Sequence, residues 1–245
     1  VMDVAIIGAS SGIGRAVANI FAENKHNVIC SSRDENELDS LVSDLRIRYD
    51  IKAHAVPVDL TNNLSIKKFI KRSYELFKTI DCCIVTAAVV DSVDKPYYDE
   101  EELINTTNAN YTGIALTLNE ISRRMAGGNS GVIMCLSSVA GDRGRQSNFI
   151  YGASKSALIT YLQGLRMKMY KHNVHVITVL PGYIDTIMAY GRVQNRLAVS
   201  PQYAARKIYK LIKSKRNIVY IPPVWWLIMK IIKLIPETIF KRLSL

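Results

Sequence analysis

Tyr151 and Lys155 stand four residues apart in the run Tyr-Gly-Ala-Ser-Lys, and Ser138 precedes the tyrosine by thirteen residues. On a helix, positions i and i+4 share a face, so this spacing sets a phenol beside an ammonium. A neighbouring cation favours the phenolate and lowers a phenol pKa that is otherwise about 10. A serine hydroxyl delivered from another segment can bond the same substrate oxygen. Together the three groups read as a proton-donating set for a carbonyl near neutral pH. Tyr/Lys pairs also occur as solvated surface neighbours, so the reading depends on what the rest of the chain supplies.

The chain opens with an apolar, strand-like run, Val4 to Ile7, followed by Gly8-Ala9-Ser10-Ser11-Gly12-Ile13-Gly14 and an amphipathic stretch from Arg15 to about Glu23. This is strand, glycine turn, helix. Glycines let the backbone turn sharply and approach a pyrophosphate, and the helix start offers free N–H donors and a positive dipole end. Gly8, Ser10, Ser11, Gly12, Ile13 and Gly14 are therefore the expected dinucleotide cradle. The spacing is Gly-x3-Gly-x-Gly rather than Gly-x-Gly-x-x-Gly.

The second strand, Asn27 to Ser31, runs into Ser32-Arg33. A carboxylate at that strand end would suit a ribose 2′-OH and NAD. Ser32 is neutral, and Arg33 with Arg15 offers two guanidinium groups for a 2′-phosphate. NADP(H) is favoured and NAD(H) stays open. Asp59 and Leu60, after a third strand from about Ala53 to Val58, are expected to flank the adenine.

The elements that must position these groups alternate along all 245 residues. Further strands read as Cys82 to Ala87, Val132 to Ser137, Val174 to Leu180 and Ile218 to Ile221. Helices read as Asn36 to Tyr49, Leu64 to Phe77, Glu101 to Met125, Asn148 to Tyr170 and 201–215. Such alternation predicts an α/β fold with a parallel sheet covered on both faces. The chain as given starts almost at a strand, and no leader segment is expected. Cys30, Cys82, Cys83 and Cys135 all fall on predicted strands, with Cys82 and Cys83 on opposite faces. They read as buried hydrophobes in a reducing cytoplasm. No metal-ligand spacing appears, and His26, His54, His172 and His175 form no cluster.

Taken in order, the Gly8–Gly14 turn, Asp59, Asn110, Ser138, Tyr151-x3-Lys155 and Pro181-Gly182 resemble the short-chain dehydrogenase/reductase family over nearly the whole chain. The resemblance implies a three-layer doubly wound Rossmann fold with about seven parallel strands. It implies that Tyr151 donates a proton to the carbonyl oxygen, that Lys155 tunes Tyr151 and bonds the nicotinamide ribose, and that Ser138 orients the substrate. Asn110 would hold a water linking Lys155 to solvent. Pro181, Gly182, Ile184 and Thr186 would pass the nicotinamide, the last two bonding its carboxamide. One departure stands out: the family's Asn-Asn-Ala-Gly-like segment after the fourth strand reads Thr86-Ala87-Ala88-Val89 here, with Ala87 kept as a cofactor contact.

The arginine-rich approach to the tyrosine, from Ser137 through Arg143 and Arg145, and the ending from Ile235 to Leu243 resemble a narrower branch. That branch, the decaprenylphosphoryl-2-keto-ribose reductases, reduces a keto sugar on a polyprenyl phosphate; its usual cofactor, NADH, conflicts with Arg33. The resemblance implies a sugar-lipid oxidase as working partner; Arg143 and Arg145 are candidates for a substrate phosphate, or equally surface charges or subunit salt-bridge partners. The family also suggests a homodimer or homotetramer through the helices carrying Asn110 and Tyr151.

The formal charge is +11, of which +9 lies from Ala205 onward: ten Lys/Arg against Glu237. A nucleic acid is set aside as partner because the basic tail is also strongly apolar, with Trp225-Trp226 at its centre. The apolar run from Ile218 to Met229 is shorter than the roughly 20 residues a span requires. Residues 1–222 are expected to form the reductase domain and 223–245 an amphipathic extension, packed on it or lying at an anionic membrane surface. The expected location is the cytoplasm, with the inner face of a membrane as the variant. Three readings follow: a reductase of a lipid-linked keto sugar, a reductase of another hydrophobic ketone such as a 3-oxoacyl thioester, and a nucleotide-binding protein without activity.

Overall fold

The computed structural model describes residues 1–90, 100–186, 197–214 and 216–243. The strands are β1 (Asp3–Ile7), β2 (Asn27–Ser31), β3 (Ala53–Ala55), β4 (Cys82–Val85), β5 (Gly131–Leu136), β6 (Val174–Pro181) and β7 (Ile218–Ile221). They form one sheet in the order β3-β2-β1-β4-β5-β6-β7, and every pairing is parallel. The order reverses between β1 and β4. In open α/β sheets a ligand crevice lies at such a reversal, outside the carboxyl ends of the strands.

The helices are α1 (Gly12–Glu23), α2 (Glu35–Tyr49), α3 (Asn63–Leu76), α4 (Glu100–Thr107), α5 (Gly113–Gly127), α6 (Phe149–Tyr170), α7 (Pro201–Lys210), α8 (Val224–Leu234) and the single turn α9 (Glu237–Phe240). Strand side chains alternate between two cores, as period 2 requires. Val4, Ile6, Cys82 and Ile84 join α1, α2 and α7 through Val17, Phe21, Leu41 and Ile208. Ala5, Ile7, Cys83 and Val85 join α3, α5 and α6 through Phe69, Leu118 and Leu162. Cys82 and Cys83 thus face opposite ways, and all four cysteines are buried thiols. Side-chain caps start α2 and α3: Asp34 accepts from Glu37 N at 3.0 Å, and Asn62 from Leu64 N at 2.9 Å.

Three expectations need correction. The third strand ends at Ala55 rather than Val58, because Pro57 has no N–H for a ladder. Val56 N and Val58 N still reach Cys30 O and Ser32 O. The single helix expected from Glu101 to Met125 is two, α4 and α5, joined by a π-helical turn over Asn108–Thr112. The helix expected over 201–215 turns 3₁₀ after Lys210, and its expected last residue lies outside the described residues. A third apolar cluster gathers Val139, Leu180, Trp225 and Met229, which seats α8 on the domain. Among the described residues, no helix is long and apolar enough to cross a membrane.

Candidate active site

At the carboxyl ends of β1, β4, β5 and β6 the chain encloses a cavity of about 1160 Å³. One end is the glycine turn. Gly8 holds φ +94°, a conformation that side-chain-bearing residues rarely adopt. Gly14 sits so close to the Gly8 carbonyl and the Thr86 hydroxyl that a Cβ has no room. The Ser11 side chain makes no cap on α1. Gly8, Ser10, Ser11, Gly12, Ile13 and Gly14 all line the cavity. A pyrophosphate fits this cradle by shape and by dipole.

Ser32, Arg33, Asp59 and Leu60 line the same wall. Asp59 turns its carboxylate inward to its own loop, accepting from Thr61 N at 2.9 Å and Thr61 Oγ1 at 2.8 Å. Arg15 is not among the residues that line the cavity, and its Nη1 donates to Glu37 Oε2 at 2.8 Å, whereas Arg33 lines the cavity. Sequence spacing could not show this, because Glu37 lies on α2, one strand and one turn away from α1.

The departure at Thr86-Ala87-Ala88-Val89 is structurally filled. Thr86 Oγ1 lies 3.0 Å from Ile7 O and 3.1 Å from Gly8 O, so its hydroxyl ties β4 to the glycine turn. Asn110 is fully buried in the π-helical turn. Its Nδ2 donates to Val89 O at 2.7 Å and its Oδ1 accepts from Val89 N at 2.8 Å. The amide therefore pins the segment on which Ala87 lines the cavity. An insertion of this kind in a helix frequently marks a functional site.

The same cavity also holds the three residues predicted to transfer the proton. Ser138, Tyr151 and Lys155 all line the cavity. Ser138 Oγ accepts from Ala140 N at 3.1 Å, and a hydroxyl used as acceptor keeps its proton to donate. Lys155 has no exposed surface. Its Nζ sits 5.7 Å from the Tyr151 ring centroid and 3.5 Å from Leu136 O. Its backbone carbonyl accepts from Ser137 Oγ at 2.8 Å, which fixes the helix against the end of β5. Burial lowers the Lys155 pKa from 10.5 to about 8. Near neutral pH the ammonium persists, but at a desolvation cost that an arriving polar group would relieve.

Pro181, Gly182, Ile184 and Thr186 complete the cavity beside the tyrosine. Behind this stretch stands Trp225, only 5% exposed, its indole where a side chain at Gly182 would have to lie. The family model for short chain dehydrogenases matches residues 3–197. The chain belongs to that family. It is accordingly an NAD(P)-dependent oxidoreductase, with the seven-stranded parallel sheet of its relatives. An uncharacterised oxidoreductase of Staphylococcus haemolyticus is 29% identical over 186 residues, covering 76% of this chain and 79% of that one. One from Staphylococcus aureus is 29% identical over 212 residues, 86% and 90% of the two chains. The fold matches that of a short-chain dehydrogenase from Sphingobium yanoikuyae in complex with NADPH, with TM-score 0.84, 23% identity and 97% of both chains covered. It also matches a bulky-bulky ketone specific alcohol dehydrogenase from Comamonas testosteroni, with TM-score 0.81, 20% identity and coverage of 97% and 96%.

Sequence reasoning missed three participants. Thr86 read as a loss of amides, yet its hydroxyl supplies the link. Trp225 read as one of two interfacial tryptophans, yet it is buried while Trp226 is 55% exposed. Arg143 read as a phosphate contact or a surface charge. It instead closes the end of α8, its Nη1 donating to Ile232 O at 2.5 Å and Ile235 O at 2.6 Å, its Nη2 to Glu237 Oε2 at 3.1 Å. Its guanidinium carbon lies 3.6 Å over the Phe240 ring. Its partners are about ninety residues away in sequence, and no local pattern announces them. Among the described residues, no group of His, Cys, Asp and Glu is placed to hold a metal.

Proposed function

We propose that this chain reduces a hydrophobic ketone, with a polyprenyl-phosphate-linked 2-keto pentose as the sharpest candidate, and that NADPH is the preferred donor. The observation that carries the reading is that Ser138, Tyr151 and Lys155 line the same cavity as the glycine turn. When bound, the dinucleotide supplies a hydride to the carbonyl carbon. Ser138 donates a hydrogen bond to the carbonyl oxygen and holds it against Tyr151. As negative charge grows on that oxygen, Tyr151 gives up its phenolic proton and an alcohol forms. Lys155 stabilises the resulting phenolate. In the oxidative direction the phenolate takes the proton back.

Preference for NADPH is supported by Arg33 and by the absence of a carboxylate at the end of β2, where Ser32 stands. A lipid carrier is supported by the outward side of α8. Trp226, Leu227, Ile231 and Leu234 are exposed there, with Lys230 stacked 5.1 Å over the Trp226 ring and Lys233, Lys241 and Arg242 close in sequence. Such a face suits an anionic bilayer surface while the inward side of the helix remains packed on the domain. A sugar-lipid oxidase would then supply the ketone. A homodimer or homotetramer is supported by a shallow groove along α5 and α6, lined by Asn119, Ala153, Ala157 and Gly164, with Leu116 exposed.

The deciding experiment follows NADPH oxidation with three ketones: a short-chain polyprenyl-phosphate keto pentose, a 3-oxoacyl thioester and a small soluble ketone, each with and without anionic vesicles. Turnover of the first, raised by vesicles, is expected. Turnover of the thioester alone would replace the keto sugar with the second reading.

A further inference from the structure

Asp142 and Tyr220 are not among the residues that line the cavity, yet they hold the segment that presents Ser138 to it. Ser138 opens a short 3₁₀ turn, Val139–Gly141, and Asp142 closes it. The turn is bonded within itself: Ala140 N donates to Ser138 Oγ at 3.1 Å, Gly141 N to Ser138 O at 3.0 Å and Asp142 N to Val139 O at 3.2 Å. A shift of Asp142 is therefore carried to Ser138. On one side the turn lies against α6. A Cβ at Gly141 would come within 2.7 Å of the Lys155 carbonyl carbon, and one at Gly152 within 3.0 Å of Ala140 O. Backbone meets backbone there, beside the two helical positions that carry Tyr151 and Lys155.

The other side of the turn is held by Asp142. Its side chain is only 7% exposed, and its two oxygens go to two different elements. Oδ2 accepts from Tyr220 Oη, on β7, at 2.7 Å. Oδ1 lies 3.4 Å from Lys233 Nζ, on α8. The phenol supplies the stronger tie, because its bond is short, charge-assisted and part-buried. Lys233 is half-exposed and distant, so its ion pair counts for little. Burial, and then the neighbouring carboxylate, push the Tyr220 pKa far up, so the phenol remains a donor at working pH. Tyr220 is itself fixed, paired with Leu180 across the β6–β7 ladder and packed on the cluster of Leu180 and Trp225. Apolar packing is non-directional, whereas a short hydrogen bond fixes both a distance and an angle.

We propose that Asp142 and Tyr220 are positioning residues for the reaction: their hydrogen bond clamps the 3₁₀ turn against α6 and so sets where the Ser138 hydroxyl stands relative to Tyr151. The proposal rests on the ketone-reductase reading for the work of Ser138, though not for the clamp itself. The bond from Ser138 to the carbonyl oxygen strengthens as charge grows there, so its placement bears on the transition state more than on ground-state binding. A misplacement of about 1 Å can cost on the order of 10²-fold in rate. The phenol bond is one of several ties on the turn, so its loss should cost less than that, about tenfold.

The kinetic test uses NADPH and whichever of the three ketones the wild type turns over. Tyr220→Phe removes one oxygen and should lower kcat about tenfold, with KM for the ketone and Kd for NADPH within about twofold of wild type. Asp142→Ala should lose at least as much, and Asp142→Asn, which keeps an acceptor for the phenol, should recover part of it. Lys233→Met should change kcat less than about twofold. In a Ser138→Ala background, followed in single turnovers with enzyme in excess, Tyr220→Phe should cost less than about twofold, because the group being placed is gone. An unchanged kcat in Tyr220→Phe, or an undiminished loss in the Ser138→Ala background, overturns the proposal. Amide hydrogen exchange reads the clamp without turnover. The N–H groups of Ala140, Gly141 and Asp142 should exchange about tenfold faster in Tyr220→Phe than in wild type, while those of β5 keep their rates. Equal exchange overturns the clamp. Faster exchange in a protein that reduces no ketone supports the clamp and counts against the reductase reading alone. Circular-dichroism melts identify any Asp142 variant that fails to fold, and Tyr220→Phe then decides.

Discussion

Replacing Lys155 with methionine should make the cofactor-free protein more stable while nearly silencing the enzyme. The lysine is fully buried, and the acceptor near its Nζ, Leu136 O, lies at the long distance of 3.5 Å. Desolvation brings its pKa to about 8 from 10.5. At about 1.4 kcal/mol per pKa unit, that gap opposes folding by about 3 kcal/mol at pH 7. Below the folded pKa both states hold the proton and the penalty is complete. Between about 8 and 10.5 the unfolded chain still binds a proton that the folded chain has released, so stability rises with pH across this window. Methionine has similar length and no charge. Lys155→Met should therefore exceed the wild type by about 3 kcal/mol at pH 7, the margin narrowing to about 1 kcal/mol by pH 9.5. Urea midpoints at constant m report the difference. Turnover should fall by roughly 10²-fold or more, the scale of a lost acid–base contribution. A variant less stable than wild type at pH 7, or a stability gap that does not narrow with pH, would refute the argument from burial.

Tyr151→Phe should lower kcat by roughly 10² to 10⁴-fold and largely spare NADPH binding, as followed by fluorescence titration; retained turnover would remove Tyr151 as proton donor. Arg33→Ala should weaken NADPH by about tenfold or more, the value of a charge-assisted contact, and leave NADH nearly untouched. Equal losses for the two dinucleotides would dismiss the assignment of Arg33 to the 2′-phosphate. Trp225→Ala should cost about 3–5 kcal/mol of stability and also weaken NADPH, because the indole backs the stretch at Gly182. A loss of stability at full cofactor affinity would separate the two effects and sink the second.

The sheet was legible because its strands are continuous apolar runs punctuated by helices, and a parallel sheet buried on both faces produces that pattern. The strand, glycine turn and helix at the start of the chain were legible because Gly8 to Gly14 are contiguous, and the shared helix of the tyrosine and lysine because one helical turn joins them. Contacts between segments far apart in the chain were not. Arg15 and Arg143 look alike as free cations, yet Glu37 engages one and the carbonyls ending α8 engage the other. The π-helical turn at Asn108–Thr112 interrupts a stretch whose apolar periodicity runs on undisturbed, so no local signal marks it. Trp225 and Trp226 are adjacent and chemically identical, and only the helix's rotation against Leu180 and Val139 decides which is buried.

The placement of Trp225 behind Gly182 has a consequence for how the protein comes into being. A nascent chain that had emerged only as far as Pro222 would already contain the glycine turn, Ser138, Tyr151 and Lys155. It would lack the backing for the Pro181–Thr186 stretch and would leave Leu180, Val139 and Tyr220 without their cover. The backing of that stretch thus comes from α8, which follows all of those groups along the chain. Outward positions of that helix, such as Leu227 and Ile231, are free to change with the surroundings the protein meets, whereas Trp225 and Met229 are held to the fold from within.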